Sequence, residues 1–233
     1  IKSTVRHKYS ISEKVLKAKQ DFAKVMNADL YFAVKVGGYW ALYDDKYIES
    51  KNRKRVMEKK EIRKQIREIK KQYTLEDKKR MSASVWQQVE HNEVFQRARV
   101  VLAYWSMDDE VFTHDFVCKW AEEKTILLPC VKGDELEIRY FDGREKLCPG
   151  EGYAIPEPVG RLFTDLNKID VILVPGVAFD RTLNRLGRGK GFYDKILSQT
   201  KACKIGICFD FQLLDRIPTE VHDVRMTQVI SSR

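Results

Sequence analysis

Between residues 185 and 194 the chain reads RLGRGKGFYD. Three cations, Arg185, Arg188 and Lys190, interleave with three glycines, Gly187, Gly189 and Gly191. Glycine lacks a Cβ, so the backbone can come close to an anion and aim several N–H groups at it. A helix expected to start near Phe192 adds the partial positive charge of its N-terminus. Fixed cations, backbone donors and a helix end then converge on one pocket, which suits a polyphosphate. Asp194, in the first turn of that helix, can reach Mg²⁺ directly or through water. The spacing is neither Gly-x-x-x-x-Gly-Lys-Ser/Thr nor the dinucleotide fingerprint. A single glycine here would read as a solvated turn. Three of them among three cations, behind an apolar strand, read as a binding loop.

That loop needs a platform. DVILVP at 170–175 is almost wholly apolar, as a strand buried on both faces is. Ligands of α/β sheets gather at the carboxyl ends of such strands, where this loop begins. Further strands are expected at 99–105 (RVVLAYW), 125–130 (TILLPC) and 204–209 (KIGICF), and a half-exposed, alternating one at 136–141 (LEIRYF). Ile62, Ile66 and Ile69 share one helix face; Met81, Val85 and Val89 share another, opened by a capping sequence at Thr74–Asp77. Thr113 is expected to cap a helix through Trp120. Strands alternating with helices predict an α/β layered domain with a largely parallel sheet.

The front of the chain differs. Residues 1–72 hold 20 Lys+Arg against 9 Asp+Glu, and the remainder 23 against 25, so the net charge of +9 belongs to the first third. Residues 11–26 have helical spacing, and two β-rich runs meet at Gly37-Gly38, which predicts a hairpin. SKNRKR at 50–55 reads as a linker and Met57 as the start of a second unit. The domain expectation is a small α+β extension over 1–56 and an α/β domain over 57–233. The basic character admits a nucleic-acid-binding or nuclease-like extension, but Ala33 stands where a strand-borne acidic-x-Lys pattern needs a carboxylate. No run of 18 apolar residues spans a bilayer, so no membrane partner is expected. Five cysteines, an odd number without a Cys-x-x-Cys pair, read as free thiols of a reducing cytosol. His91, His114 and His222 show no metal spacing and read as structural.

VPGVAFDRTLNRLGRGKGFYD resembles the signature of the 5-formyltetrahydrofolate cyclo-ligase (methenyltetrahydrofolate synthetase) family, with likeness running from about Lys59 to Ile230. KKEIRKQIR at 59–67 looks like the family's opening helix, SMDDEV at 106–111 like its folate-side segment, and IPEP at 155–158 like a further substrate-side loop. The resemblance implies a three-layer α/β/α fold with a largely parallel central sheet, NagB/RpiA/CoA-transferase-like. It implies ATP and Mg²⁺ as cofactors and a reduced formyl folate as the small-molecule substrate of a cytoplasmic monomer, without a nucleic-acid partner. It places ATP on Lys59, Arg63, Arg185, Gly187, Arg188, Gly189, Lys190 and Gly191. Substrate falls on Met107, Glu110, Tyr153 and Tyr193, and metal on Asp194. Catalysis falls on Arg185, Lys190 and Tyr193. Phe192 stands where the family commonly has Tyr, and Thr227 where a second acidic residue is common beside Asp223. A protein of the same fold that binds nucleotide or nucleic acid without turnover is the alternative.

Overall fold

The computed structural model describes residues 19–21, 23, 31–36, 39–44, 59–133, 135–150 and 155–233. The chain divides into two compact units, Ile1–Glu61 and Ile62–Arg233. In the first, strands β1 (Tyr31–Val36) and β2 (Tyr39–Asp44) pair antiparallel with Val36 opposite Tyr39. That register closes the expected hairpin; Gly37-Gly38, the linker and Met57 lie outside the described residues.

The second unit is built on a six-stranded sheet. Its strands are β3 (Val100–Leu102), β4 (Thr125–Lys132), β5 (Glu135–Tyr140), β8 (Val171–Pro175), β11 (Cys203–Ile207) and β13 (Gln228–Ile230). They lie in the order β13-β11-β8-β3-β4-β5, and every neighbouring pair is parallel except β4 with β5. Side chains alternate across a strand, and the two faces therefore carry two cores. Val101, Ile126, Leu128, Val171 and Leu173 face one side, against the helices α2 (Leu75–Glu90), α3 (Glu93–Arg97) and α4 (His114–Trp120). Leu102, Leu127, Ile172 and Val174 face the other, against α5 (Phe192–Leu197). The expected three layers are thus present, with DVILVP in the interior of the sheet.

Strands β6 (Leu147–Pro149) and β7 (Pro156–Pro158) form a separate antiparallel pair, and a further small sheet carries the loop. Strands β9 (Ala178–Asp180), β10 (Arg185–Leu186) and β12 (Leu213–Leu214) pair in the order β10-β9-β12. Ile62, Ile66 and Ile69, on the helix α1 over residues 59–70, pack on Ala178, Leu186 and Ile217 of this layer. The apolar stripe read from the sequence is therefore what fixes the basic helix beside the loop.

Two caps differ in kind. Thr74 caps α2 with a full capping box: Asp77 N–H donates to Thr74 Oγ1 at 3.1 Å and Thr74 N–H to Asp77 Oδ2 at 3.1 Å. Thr113 occupies the N-cap position of α4, but its side chain does not cap the helix. Its hydroxyl accepts the Ser106 N–H at 2.9 Å, and its own N–H donates to Ser106 Oγ at 3.1 Å. The expected cap is spent on closing the loop between 106 and 113 instead.

Candidate functional site

The glycine-rich loop leaves the sheet at Pro175-Gly176, the exit end of the parallel strands. Asp180 holds its first part. This carboxylate is fully buried and accepts five hydrogen bonds, from Thr182 N and Oγ1, Asn184 N and Nδ2, and Ile217 N, all between 2.8 and 2.9 Å. Burial alone would raise its pKa; the bonds from Asn184, Ile217 and Thr182 outweigh burial and hold it below the usual carboxylate range. The knot keeps Leu183 at φ +66°, a left-handed turn that costs a branched side chain energy. It delivers the next residues, Arg185 onward, at a fixed angle.

Arg185 is then drawn inward. Its Nη2 donates to Asp194 Oδ1 at 2.8 Å, with side-chain exposures of 5% and 19%. Its guanidinium lies 5.5 Å from the centre of the Tyr193 ring, and its Nε and the Tyr193 hydroxyl are buried without a hydrogen-bond partner among the described residues. Burial, and after it the charge of Glu110, push the Tyr193 hydroxyl well above the ordinary phenol range, so the group stays protonated. Gly189 and Gly191 take φ of +105° and +72°, conformations that demand glycine at these two turns. Gly191 is the N-cap of α5. Lys190, between them, is exposed, and among the described residues it forms no ion pair.

Two other elements reach this loop. From α1, Arg63 Nε donates to the Gly187 carbonyl at 2.9 Å, and a Cβ at Gly189 would lie 3.6 Å from the Arg63 guanidinium. Burial lowers the Arg63 pKa, against the raising charges of Glu220 and Asp223. From the 106–113 loop come Asp109 and Glu110. Arg188 Nη2 donates to Asp109 Oδ1 at 2.7 Å and to Glu110 Oε1 at 3.1 Å. Glu110 Oε2 accepts the Met107 N–H at 3.1 Å, which closes the turn that presents both carboxylates. The Tyr104 hydroxyl donates to the Val111 carbonyl at 3.3 Å from below.

Arg63, Met107, Glu110, Arg185, Gly187, Arg188, Gly189, Lys190, Gly191, Tyr193 and Asp194 are therefore carried by three adjoining elements of one unit. Lys59 falls in the first unit, and Tyr153 lies outside the described residues. Pattern reading passed over three members: Asp180, Asp109 and Lys70. Lys70 Nζ donates to Asp109 Oδ2 at 3.0 Å. A signal for Lys70 did exist, because it stands four residues after the buried Ile66 and so on the inward face of α1.

Asp194 offers a metal one carboxylate; its Oδ1 is taken by Arg185. One protein carboxylate beside the phosphates of a nucleotide is the ordinary donor set for Mg²⁺, so the residues fit the ion. Glu220, His222 and Asp223 form a second group, their ligand atoms within 4.8 Å of one another. His222 Nε2 is 3.2 Å from Glu220 Oε2. Thr227 sits elsewhere: its hydroxyl accepts the Lys204 N–H at 3.0 Å and its N–H donates to the Lys204 carbonyl at 2.8 Å. It clips the entry ends of β11 and β13, whereas the loop leaves from the exit end. His114 stacks on Trp105, and His91 bonds the Gln87 carbonyl.

Comparison with known proteins converges on one group. A 5-formyltetrahydrofolate cyclo-ligase of Haemophilus influenzae is 29% identical over 178 residues, covering 73% of this chain and 95% of that one. The cyclo-ligase of Mycolicibacterium smegmatis is 39% identical over 116 residues, covering 46% of this chain and 60% of that one. The solved 5,10-methenyltetrahydrofolate synthetase of Aquifex aeolicus superposes with a TM-score of 0.68 at 30% identity, over 75% of this chain and 90% of that one. That of Mycoplasma pneumoniae gives 0.60 at 25% identity, over 75% and 99%. The family model for 5-formyltetrahydrofolate cyclo-ligases matches residues 55–232, and the chain belongs to that family.

Proposed function

We propose that this protein uses ATP to convert 5-formyltetrahydrofolate into 5,10-methenyltetrahydrofolate, releasing ADP and phosphate. The observation that carries the reading is the position of Arg188. One guanidinium belongs to the phosphate loop and is hydrogen-bonded to Glu110 of the folate-side segment. The two halves of a phosphoryl transfer have to meet at such a distance.

The chemical obstacle is the formyl oxygen, a poor leaving group. Its attack on the γ-phosphorus forms the O–P bond as the bond to ADP breaks. N10 of the folate then attacks the activated carbon, loses its proton, and phosphate departs with the C–O bond. The protein's task is positioning and charge stabilisation. Arg185 and Lys190, with the amides around Gly187, Gly189 and Gly191, face the phosphates, and Arg63 braces the loop from α1. Lys59, one turn earlier in sequence, is assigned to the same nucleotide. Glu110 accepts hydrogen bonds from the pterin; Met107, Tyr153 and Tyr193 complete the substrate side. Asp194 would hold Mg²⁺, which supplies charge neutralisation to the phosphate oxygens. Residues 57–233 form the catalytic domain, in a monomer of the reducing cytosol, in keeping with five free cysteines.

Formation of methenyl-folate, followed by its absorbance with and without ATP, tests the reading. Product is expected only with ATP. Tight nucleotide binding without product would leave the non-catalytic alternative in its place.

A further inference from the structure

Lys70 belongs to neither the glycine-rich loop nor the folate-side segment, yet its ammonium lies inside the frame that joins them. Its side chain is 8% exposed, whereas that of its neighbour Lys71 is 64% exposed. A solvated helix face does not explain a buried ammonium, and stability does not either. Taking the Lys70 ammonium out of water costs several kcal/mol, its partner Asp109 is 42% exposed, and an apolar side chain of similar volume often does as well.

The bonds divide in an ordered way. Asp109 gives Oδ2 to Lys70 at 3.0 Å and Oδ1 to Arg188 at 2.7 Å. Arg188 uses a single nitrogen, Nη2, for both Asp109 and Glu110. Lys70 thereby occupies the one oxygen of Asp109 that could otherwise turn on Arg188. Two cations and two carboxylates also balance. Without the ammonium the group would carry an excess negative charge beside a loop built for anions.

We propose that Lys70 is a positioning residue for the cyclo-ligase reaction: by holding Asp109 it sets where Arg188 stands between the phosphate loop and the Glu110 segment. The inference rests on the function proposed above. Loss of the Lys70 charge lets Asp109 compete with phosphate for Arg188 through both oxygens. The folate side, anchored by Glu110 to the Met107 amide, keeps its geometry.

The test uses the full chain, with steady-state kinetics for both substrates, ATP binding by calorimetry, and urea unfolding. Lys70→Met should raise KM for ATP about tenfold, equivalent to about 1.4 kcal/mol, and change KM for the folate less than about twofold. Lys70→Arg keeps the charge and should return KM for ATP to within about threefold of wild type. Adding Asp109→Asn to Lys70→Met restores neutrality and should reverse part of the loss. Lys70→Gln, which can still donate to Asp109, covers the case in which Met prevents folding. The same weakening for ATP is expected, because the charge is gone. A purely structural lysine would lower the urea midpoint and leave the ATP-to-folate ratio of KM values unchanged. If the wild type makes methenyl-folate and the uncharged variants bind ATP as it does, Lys70 has no positioning role and the function stands. If the wild type binds ATP without making product, and the variants bind it more weakly, the function falls and the role of Lys70 at the nucleotide stands.

Discussion

Asp194→Ala separates the architecture of the loop from its chemistry. The substitution leaves the Arg185 guanidinium, 5% exposed, facing a methyl group where an oxygen stood at 2.8 Å. The other acceptor of Arg185, the Pro175 carbonyl, is 3.4 Å from Nη1 and contributes little. Removing one partner of a buried pair typically costs about 3–5 kcal/mol, because a desolvated charge is left behind. With a slope of about 2.5 kcal/mol/M for a domain of this size, the urea midpoint should fall by about 1.5 M. Arg185→Met combined with Asp194→Leu removes both charges and fills the space, and it should unfold within about 1.5 kcal/mol of wild type. On the proposed function neither variant should turn over, since each loses a cation assigned to the phosphates or the anchor of that cation. Equilibrium unfolding followed by fluorescence, with circular dichroism as a second probe, reads the effect. An Asp194→Ala midpoint within about 0.2 M of wild type would refute the reasoning that this pair holds Arg185 in place.

The opposite pattern is expected at Lys190, which is exposed and forms no ion pair among the described residues. Lys190→Ala should leave the free energy of urea unfolding within about 0.5 kcal/mol of wild type while sharply reducing turnover; wild-type activity would exclude this lysine from the reaction. Gly191→Ala meets no atom within 4 Å of its Cβ but forces alanine to φ +72°; a loss of about 1 kcal/mol, measured by urea unfolding, is expected from backbone strain. For pH, Asp180 and Asp109 are both held below the usual carboxylate range, so the unfolded chain binds more protons as pH falls through about 4. Their contribution is complete above that range and is lost toward lower pH. The urea midpoint should therefore drop between about pH 5 and pH 3, and Asp180→Asn should flatten the curve.

What could be read from the sequence was what repeats along it. The alternation in VVL, ILL and VILV assigns each side chain to a sheet face, and the structure puts Val101 and Leu102 in different cores as that alternation requires. The Thr74 capping box is equally local, complete within four residues. The rest depended on partners far along the chain. Asp109 meets Lys70 across 39 residues and Arg188 across 79. No spacing rule announces either contact, and an Asp-Glu pair looks like solvated surface until the fold brings cations to it. Thr113 shows the limit of a local rule. Its position satisfies the capping pattern, but Ser106, delivered by β3, offers a reciprocal pair of bonds and wins. Asp180 is intermediate: four of its five donors lie within four residues, so an acidic turn was readable in DRTLN, whereas the Ile217 N–H that completes it was not.

The pairings explain why the loop has three cations rather than one. Arg185 is neutralised by Asp194, and Arg188 by Asp109 and Glu110. Those bonds fix the two guanidinium groups in place, and a fixed donor stabilises developing charge without the cost of reorganising at the moment of reaction. The same bonds weaken the field that draws an anion in. We assign that field to Lys190, which lies on an exposed turn between two glycines of positive φ and forms no ion pair among the described residues. Position and attraction are thus divided between residues. The division predicts distinct kinetic signatures: neutralising Lys190 should slow ATP capture and make it less sensitive to salt, because an exposed charge is screened within about 8–10 Å. Loosening Arg188 through Asp109→Asn should act on kcat at saturating ATP and leave the salt dependence in place. Stopped-flow binding of ATP at two ionic strengths distinguishes them. Equal salt sensitivity in wild type and Lys190→Ala would show that attraction comes from elsewhere in the chain.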